Sequence, residues 1–297
     1  VQIRAAVFFM TVNSNDFLFS TLSPMSKQVQ LWHGSPVKKI GFDAYSRASK
    51  FKNIIRMVLV DRYTYIISPS KEVDRIFQSA FRMTREQIIR SPYPRCATLF
   101  QENSILRDEF LEKNKIDKSA RIIAYLPTHR NEGNLPLDSK ALYQELIKSE
   151  SFLDENNINI IFKPHFYELE NAKSYTSTKR IKVIVDEIDI YNLLSFSDAL
   201  ITDVSSVAFD FDVTKKPIFF YMPDLEKYIA DDRDLYFAPH EIADPICADS
   251  IQLAEEISKW FRDGEYSALK LVFNEELEVD GAEVITRLTQ KIIKLLA

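Results

Sequence analysis

The sequence is short of glycine, with 5 Gly among 297 residues. This shortage excludes the glycine-rich loops that cradle phosphates in many nucleotide-binding proteins, and neither a GxGxxG nor a P-loop pattern occurs. If the protein binds a nucleotide, another device must therefore hold its phosphates.

Cysteine, long apolar runs and excess positive charge are also scarce. Cys96 and Cys247 lie far apart and form neither a disulfide framework nor a metal cluster, which favours a reducing compartment. Apolar runs such as residues 5–10 are far shorter than the roughly 20 residues of a membrane span, so we expect a soluble or peripheral protein. The net charge of −5 argues against a dedicated nucleic-acid binder.

Since the first residue is Val1 and no signal sequence precedes the first apolar run, we expect a trimmed N-terminus.

Short apolar, β-rich runs alternate with amphipathic helical patterns, which is typical of βα units around parallel sheets. At 297 residues a single core usually divides, so the fold class is predicted as α/β with two domains. Strands are predicted at 3–12, 29–32, 63–67, 87–89, 122–125, 158–162, 181–185, 199–202 and 218–221, and helices at 45–60, 70–81, 101–115, 251–261 and 282–296.

A domain junction is predicted at Ser91-Pro92-Tyr93-Pro94, because proline fixes φ and disfavours helix in the residue before it. The predicted N-terminal domain covers residues 1–95 and the C-terminal domain covers residues 96–279. Residues 280–297 form a closing helix.

The first candidate site follows the strand at 29–32. Residues 31–41 read LWHGSPVKKIG, in which His33 stands beside Gly34 and Lys38 follows. A histidine at an open strand end can act as a general base near neutral pH, and open α/β sheets bind ligands at the carboxyl ends of their strands. A plain turn with a surface histidine is the structural alternative.

Thr128, His129 and Arg130 follow the strand at 122–125. The Thr128 hydroxyl can donate a hydrogen bond, and the planar fork of Arg130 suits phosphate oxygens. A proline-initiated turn that caps a helix is the structural alternative.

Lys163 and His165 follow the strand at 158–162 in the same way. Three of the four histidines thus stand after predicted strands with a lysine or arginine nearby, which predicts a cationic, titratable cleft.

The segment DALITDVSSVAFDF, residues 198–211, is the most informative. Ser205 and Ser206 can cap the next helix, whose free N–H groups and positive dipole end make an anion site without glycine. Asp210 is placed to accept hydrogen bonds from both ribose hydroxyls, and Asp203 to orient a serine or a histidine. A well-capped structural helix with an exposed aspartate is the alternative.

Taken together and in this order, these segments resemble the motifs of the CDP-glycerol glycerophosphotransferase family, the teichoic acid and capsule polymerases. The similar stretches are WHGSPVKKIG, PTHR, KPH, LITDVSSVAFDF and KKPIFFYMPD, with a DGA segment at 280–282. The chain departs from the family at 92–97, which keeps Arg95 but lacks a Gly and an Asp, and at 233–236, which lacks a Gly.

The resemblance implies a GT-B fold, in which two Rossmann-like domains with parallel sheets face a cleft and the C-terminal domain binds the nucleotide. The N-terminal domain is short relative to the family. The implied reaction moves a polyol phosphate, glycerol phosphate first, from a CDP-polyol to the hydroxyl end of a growing polymer and releases CMP.

Carried over by motif, His33 is the expected base and His165 is the second catalytic residue, beside the diphosphate. The expected substrate-binding residues are Lys38, Arg95, Thr128, His129, Arg130, Lys163, Asp203, Ser205, Ser206 and Asp210. Such a cationic set could hold the diphosphate without a metal, so no cofactor is required, and Mg²⁺ carried by the diphosphate stays open.

The implied partners are a CDP-polyol donor and a polymer or lipid-linked acceptor, with no nucleic acid. The implied location is the cytoplasm, in peripheral contact with the inner face of the cytoplasmic membrane. A GT-B glycosyltransferase that uses a nucleotide sugar and a non-catalytic polymer-binding domain are the two alternatives.

Overall fold

The computed structural model describes residues 7–11, 27–44, 63–101, 103–128, 139–165, 169–173, 175–186, 188–203, 205–226, 235–266, 269–271 and 281–296. The chain divides into two compact units. Unit 1 comprises residues 1–97, 233–236 and 272–297, and unit 2 comprises residues 98–232 and 237–271.

Unit 1 contains a parallel sheet of four strands in the order β1-β2-β3-β4. The strands are β1 (Val7–Met10), β2 (Lys27–Gln30), β3 (Tyr65–Ser68) and β4 (Ile88–Arg90). Helix α1 (Lys71–Phe81) connects β3 to β4 and buries the face that carries Phe77 and Phe81. Ser70 begins the helix, because its side chain accepts a 3.2 Å hydrogen bond from the N–H of Val73.

Unit 2 contains a six-stranded parallel sheet in the order β10-β9-β8-β5-β6-β7. Its elements in chain order are α2 (Ser104–Lys113), β5 (Arg121–Leu126), α3 (Ser139–Ile147), α4 (Glu150–Glu155), β6 (Ile158–Phe162), α5 (Leu169–Ala172), β7 (Ile181–Val183), α6 (Ile190–Phe196), β8 (Ala199–Thr202), α7 (Ser206–Phe211), β9 (Ile218–Tyr221), α8 (Pro239–Ile242), β10 (Ile246–Cys247) and α9 (Ser250–Asp263).

The central strands of unit 2 are apolar along nearly their whole length. Every residue of β6, β8 and β9 is buried, as expected for parallel strands covered on both faces. Tyr125, Phe162 and Tyr221 lie in the core at the carboxyl ends of their strands. The sheet edge that carries the predicted site residues is therefore supported by buried aromatic rings.

The last helix, α10 (Gly281–Leu296), belongs to unit 1 and buries Val284, Leu288 and Ile292. Within the described part of the chain, no helix combines the length and the apolar character needed to cross a bilayer.

The predicted strands in both units are present, with bounds that differ by a few residues. The prediction of a strand to residue 32 is wrong, because β2 ends at Gln30 and Trp32 has a left-handed backbone with φ 60°. Helices α3, α4, α5, α6 and α8 and strand β10 were not predicted. The predicted helix at 45–60 lies outside the described residues.

Candidate active site

The sheet of unit 2 has one topological switch point. From β5 the chain adds β6 and β7 on one side, then returns to place β8 on the other side of β5. In open α/β sheets, ligands bind outside the carboxyl ends of the strands at such a point. The residues that follow β5 and β8 are therefore the first candidates for a ligand site.

Thr128 and Asp203 occupy this position and are joined to each other. The Thr128 hydroxyl and backbone N–H donate to Asp203 Oδ2 at 2.5 and 2.9 Å, and Asp203 is 2% exposed. The neighbouring Thr202 hydroxyl donates to the Leu126 carbonyl at 2.7 Å. Asp203 therefore orients a threonine, which fits the positioning role left open from the sequence.

Ser205 is the N-cap of α7, and its side-chain oxygen accepts from the N–H of Val207 at 3.4 Å. The predicted cap is confirmed. The helix itself is short, ending at Phe211. A helix of this length carries a weak dipole, and the Ser205 N–H already donates to the Asp203 carbonyl at 2.6 Å. An anion here would therefore depend on the N–H group of Ser206 and on nearby cations.

The structural alternative supposed an exposed aspartate at position 210, but the structure buries Asp210. It is 2% exposed, and its Oδ2 accepts a 2.7 Å hydrogen bond from the hydroxyl of Tyr191 on α6. The ribose role therefore stays a prediction, in which Tyr191 already occupies one acceptor position of the carboxylate. Tyr191 was missed because α6 is only seven residues long and shows no clear helical pattern.

Lys163 follows β6, where its backbone N–H donates to the Tyr125 carbonyl at 3.0 Å and its ammonium group donates to the Asp186 carbonyl at 3.0 Å. His165 is partly exposed two residues further on. Both residues thus stand at the carboxyl edge of the strand next to β5. His129 and Arg130 lie outside the described residues.

His33 of unit 1 is exposed, and its Nδ1 lies 2.8 Å from the backbone carbonyl of Thr11. A carbonyl oxygen only accepts, so Nδ1 carries the hydrogen and the Nε2 lone pair stays available to accept a proton. This is the tautomer that a general base at Nε2 requires.

The basic turn that contains Lys38 is held by a segment that arrives from far along the chain. Lys38 forms an antiparallel bridge with Leu235, and the Tyr236 N–H donates to the Val37 carbonyl at 2.8 Å. The Tyr236 hydroxyl donates to Asp43 Oδ2 at 2.8 Å, and burial raises the pKa of this phenol above its usual value. Residues 235–236 therefore brace the turn next to His33.

Arg95 contacts the same loop. Its Nη1 donates to the Trp32 carbonyl at 3.2 Å, and its guanidinium carbon lies 4.0 Å from the centre of the Tyr93 ring. The substrate contact expected of Arg95 stays a prediction. Gln30, whose side-chain oxygen accepts from the Trp32 N–H at 2.9 Å, was missed, because polar residues predominate in the strand KQVQ and nothing in it singles out one glutamine.

Within the described residues, no three His, Cys, Asp or Glu side chains cluster as metal ligands do. In sum, the structure joins Thr128 to Asp203 in unit 2 and Arg95 to the His33 loop in unit 1.

Comparisons with known proteins point to one family over nearly the whole chain. A sequence profile of the family described as CDP-glycerol:poly(glycerophosphate) glycerophosphotransferase matches residues 1–294. A teichoic acid glycerol-phosphate transferase of Staphylococcus aureus is 28% identical over 98% of this chain and 77% of its own length. A teichoic acid poly(glycerol phosphate) polymerase of Bacillus spizizenii is 34% identical over 70% of this chain, which spans 55% of that relative.

Among solved structures, the wall teichoic acid polymerase TagF, in a variant soaked with CDPG, is similar with a TM-score of 0.73 and 26% identity. The match covers 98% of this chain and 73% of that one. A UDP-GlcNAc 2-epimerase from Neisseria meningitidis shares the fold alone, at 10% identity and a TM-score of 0.57. The fold is thus α/β of the GT-B type.

Proposed function

The chain belongs to the CDP-glycerol:poly(glycerophosphate) glycerophosphotransferase family, and from this membership we propose that it transfers glycerol phosphate from CDP-glycerol to the hydroxyl end of a growing teichoic acid polymer. The nucleotide product is CMP. The observation that supports the proposal beyond family membership is the 2.8 Å contact between His33 Nδ1 and the Thr11 carbonyl, which leaves Nε2 to act as a base.

His33 acts on the acceptor. Its Nε2 takes the proton of the acceptor hydroxyl while the hydroxyl oxygen attacks the β-phosphorus of CDP-glycerol, and the Thr11 carbonyl holds Nδ1–H throughout. A bond forms from the acceptor oxygen to phosphorus, and the bond from phosphorus to the bridging oxygen breaks. CMP leaves with that oxygen.

The residues that follow the strands of unit 2 act on the donor. Phosphoryl transfer depends mainly on positioning and on stabilising the charge of the phosphate oxygens. We assign this task to Lys163, His165 and Arg130, with the Ser205 hydroxyl and the N–H group of Ser206. Thr128, which precedes His129 and Arg130 in the chain, is fixed by Asp203.

Two finer points belong to the same proposal. Mg²⁺ carried by the diphosphate would share the charge-stabilising task with these cations. We further propose a lipid-linked acceptor and peripheral contact with the inner face of the cytoplasmic membrane, and flotation with anionic vesicles tests the membrane contact directly.

The decisive experiment incubates the protein with CDP-glycerol, CDP-ribitol or a UDP-sugar, with and without a teichoic acid acceptor, and measures CMP and UDP. Acceptor-dependent CMP release from CDP-glycerol supports the proposal. UDP release from the sugar donor, without CMP from either CDP-polyol, would replace it with the glycosyltransferase alternative.

The matched variant is His33→Asn. The Asn amide can still donate to the Thr11 carbonyl but has no group that accepts a proton as imidazole does. We expect transfer to fall by about 10²–10⁴-fold, the usual contribution of a general base, while affinity for CDP-glycerol stays unchanged. Retained turnover with lost donor affinity would overturn the assignment of His33.

A further inference from the structure

The residue before His33 has an unusual backbone. Trp32 lies in the left-handed region, with φ 60°, although it is neither glycine nor asparagine. A bulky aromatic residue rarely adopts this conformation, and residues with a strained backbone cluster at functional sites. The indole is 7% exposed and packs edge-on against Phe77 and Phe81, with ring centres 5.5 and 5.2 Å away.

Two side chains hold the backbone groups on either side of this strained residue. The Trp32 N–H donates to Gln30 Oε1 at 2.9 Å, and the Trp32 carbonyl accepts from Arg95 Nη1 at 3.2 Å. Gln30 is fully buried on β2. Neither bond belongs to the sheet, so both serve the loop itself.

Both partners are themselves held in place. The Arg95 guanidinium stacks on the ring of Tyr93, which is fully buried, so the planar fork is oriented before it meets the carbonyl. The Gln30 amide nitrogen has no hydrogen-bond acceptor among the described residues. Burying an amide with only one of its polar groups hydrogen-bonded costs free energy. The presence of Gln30 in the core therefore needs a reason, and its hydrogen bond to the Trp32 N–H supplies one.

The direction in which the chain leaves Trp32 determines where the His33 ring lies. That ring has its centre 4.6 Å from the indole and its Nδ1 on the Thr11 carbonyl. If Trp32 relaxed to an ordinary backbone conformation, the imidazole would move away from this acceptor.

We propose that Gln30 and Arg95 are positioning residues, which hold Trp32 in its left-handed conformation and thereby fix the orientation and tautomer of His33. The catalytic consequence rests on the proposed function, whereas the effect on the His33 tautomer does not. Arg95 acts here on the loop rather than on substrate.

The test uses Gln30→Met, which keeps the length of the side chain and removes the acceptor. Gln28→Met is its matched control, since Gln28 is buried two residues earlier on the same strand and its side-chain oxygen has no partner among the described residues. Arg95→Lys retains the charge but loses the planar fork, and Arg85→Met, at an exposed arginine of unit 1, controls for it.

The first readout is nitrogen-15 NMR of the histidine side chains at alkaline pH, with the His33 signals assigned by their loss in His33→Asn. We expect the proton to reside on Nδ1 in the parent protein and in Gln28→Met. In Gln30→Met and Arg95→Lys, the proton should be shared with Nε2, because the Thr11 bond is no longer enforced.

The second readout is steady-state kinetics. A misplacement of about 1 Å can reduce a rate by about 10²-fold, so we expect kcat to fall by about 10–100-fold in Gln30→Met and Arg95→Lys. The KM for CDP-glycerol should remain within about twofold, because the donor residues are on unit 2. Both control variants should keep the parental kcat.

The outcomes separate the two proposals. If the parent protein releases no CMP but the tautomer shifts as expected, the proposed function fails and the positioning role stands. If Gln30→Met matches Gln28→Met in both readouts, or if Arg95→Lys leaves His33 unchanged, the positioning role is overturned. If circular dichroism shows that Gln30→Met does not fold, Arg95→Lys alone tests the positioning role, because Arg95 is only partly buried.

Discussion

Thr128 and Asp203 are joined by two hydrogen bonds, from the hydroxyl and the backbone N–H of Thr128 to a single carboxylate oxygen at 2.5 and 2.9 Å. They follow the carboxyl ends of the neighbouring strands β5 and β8, so the link fixes the ligand edge at the switch point of the second sheet. Hydrogen bonds to charged groups contribute about 1.5–3 kcal/mol each to stability. Because Asp203 is buried, we expect its two bonds to Thr128 to contribute more than the same bonds at an exposed carboxylate.

We predict that Asp203→Asn weakens binding of CDP-glycerol about tenfold. The neutral amide oxygen accepts more weakly than the carboxylate, so Thr128 is held less firmly at the ligand edge. Isothermal titration calorimetry measures the donor affinity, and urea unfolding measures the accompanying loss of stability, which we expect to be about 1–3 kcal/mol.

Asp198→Asn is the matched control, because Asp198 lies at the opposite end of β8. Its Oδ2 accepts from the Ile122 N–H at 2.8 Å and lies 3.5 Å from Arg107 Nη1. This variant should lose stability without losing donor affinity. Equal loss of affinity in the two variants would show that Asp203 only supports the sheet.

Asp210 offers a test of ribose recognition. We predict that Asp210→Asn reduces the affinity for CMP to that for its 2′-deoxy analogue, because a ribose hydroxyl would lose its charged acceptor. Tyr191→Phe removes the 2.7 Å hydrogen bond but keeps the carboxylate, so the discrimination between the two nucleotides should persist. If Asp210→Asn still discriminates, the carboxylate serves only to join α7 to α6.

Local chemistry explains which features could be predicted from the sequence. Ser205 was identified as a cap because an N-cap depends on one side chain and on N–H groups two or three residues away. The predicted bounds of the buried strand at 158–162 agree with the structure, because buried parallel strands are nearly continuous apolar runs.

The features that the sequence did not show depend on distant residues. The left-handed Trp32 depends on Arg95, 63 positions further along the chain, as well as on Gln30. The burial of Asp210 depends on α6, whose helical pattern is only seven residues long. Strand β10 has two residues and therefore no periodicity to detect.

Gly41 is predicted to be irreplaceable for steric reasons. Its φ is +53°, and a Cβ atom would lie 2.2 Å from the carbonyl oxygen of Ala80 on α1. We expect Gly41→Ala to reduce the free energy of unfolding by about 2–6 kcal/mol, the sum of left-handed strain and overpacking. Urea unfolding measures this change.

Gly264→Ala isolates the two contributions. Gly264 also has a positive φ, +71°, but nothing lies within 4 Å of its added Cβ. It should therefore show the left-handed strain alone, about 1–2 kcal/mol. Equal losses at the two glycines would mean that the contact between Gly41 and α1 is not rigid.

Two buried side chains, Cys247 and Tyr221, and the partly buried Tyr236 predict a loss of stability at alkaline pH. Burial raises the pKa of the Cys247 thiol to about 12, and it raises the pKa of the Tyr221 and Tyr236 phenols above their usual value. Since each group ionises at lower pH in the unfolded chain, the unfolded state binds fewer protons above about pH 9. The free energy of unfolding is unaffected by these groups below that pH and should fall as pH rises toward 12.

The two tyrosines should respond differently to loss of their hydroxyl groups. The Tyr221 hydroxyl has no partner among the described residues, whereas the Tyr236 hydroxyl donates to Asp43 at 2.8 Å. At pH 7 we therefore expect Tyr221→Phe to be neutral or stabilising, and Tyr236→Phe to lose about 1.5–3 kcal/mol because a partly buried donor to a charged group is removed. Both substitutions should flatten the alkaline slope in urea titrations between pH 8 and pH 11, because each removes one proton that the native state retains and the unfolded state releases. An unchanged slope in either variant would show that the corresponding phenol ionises equally in both states.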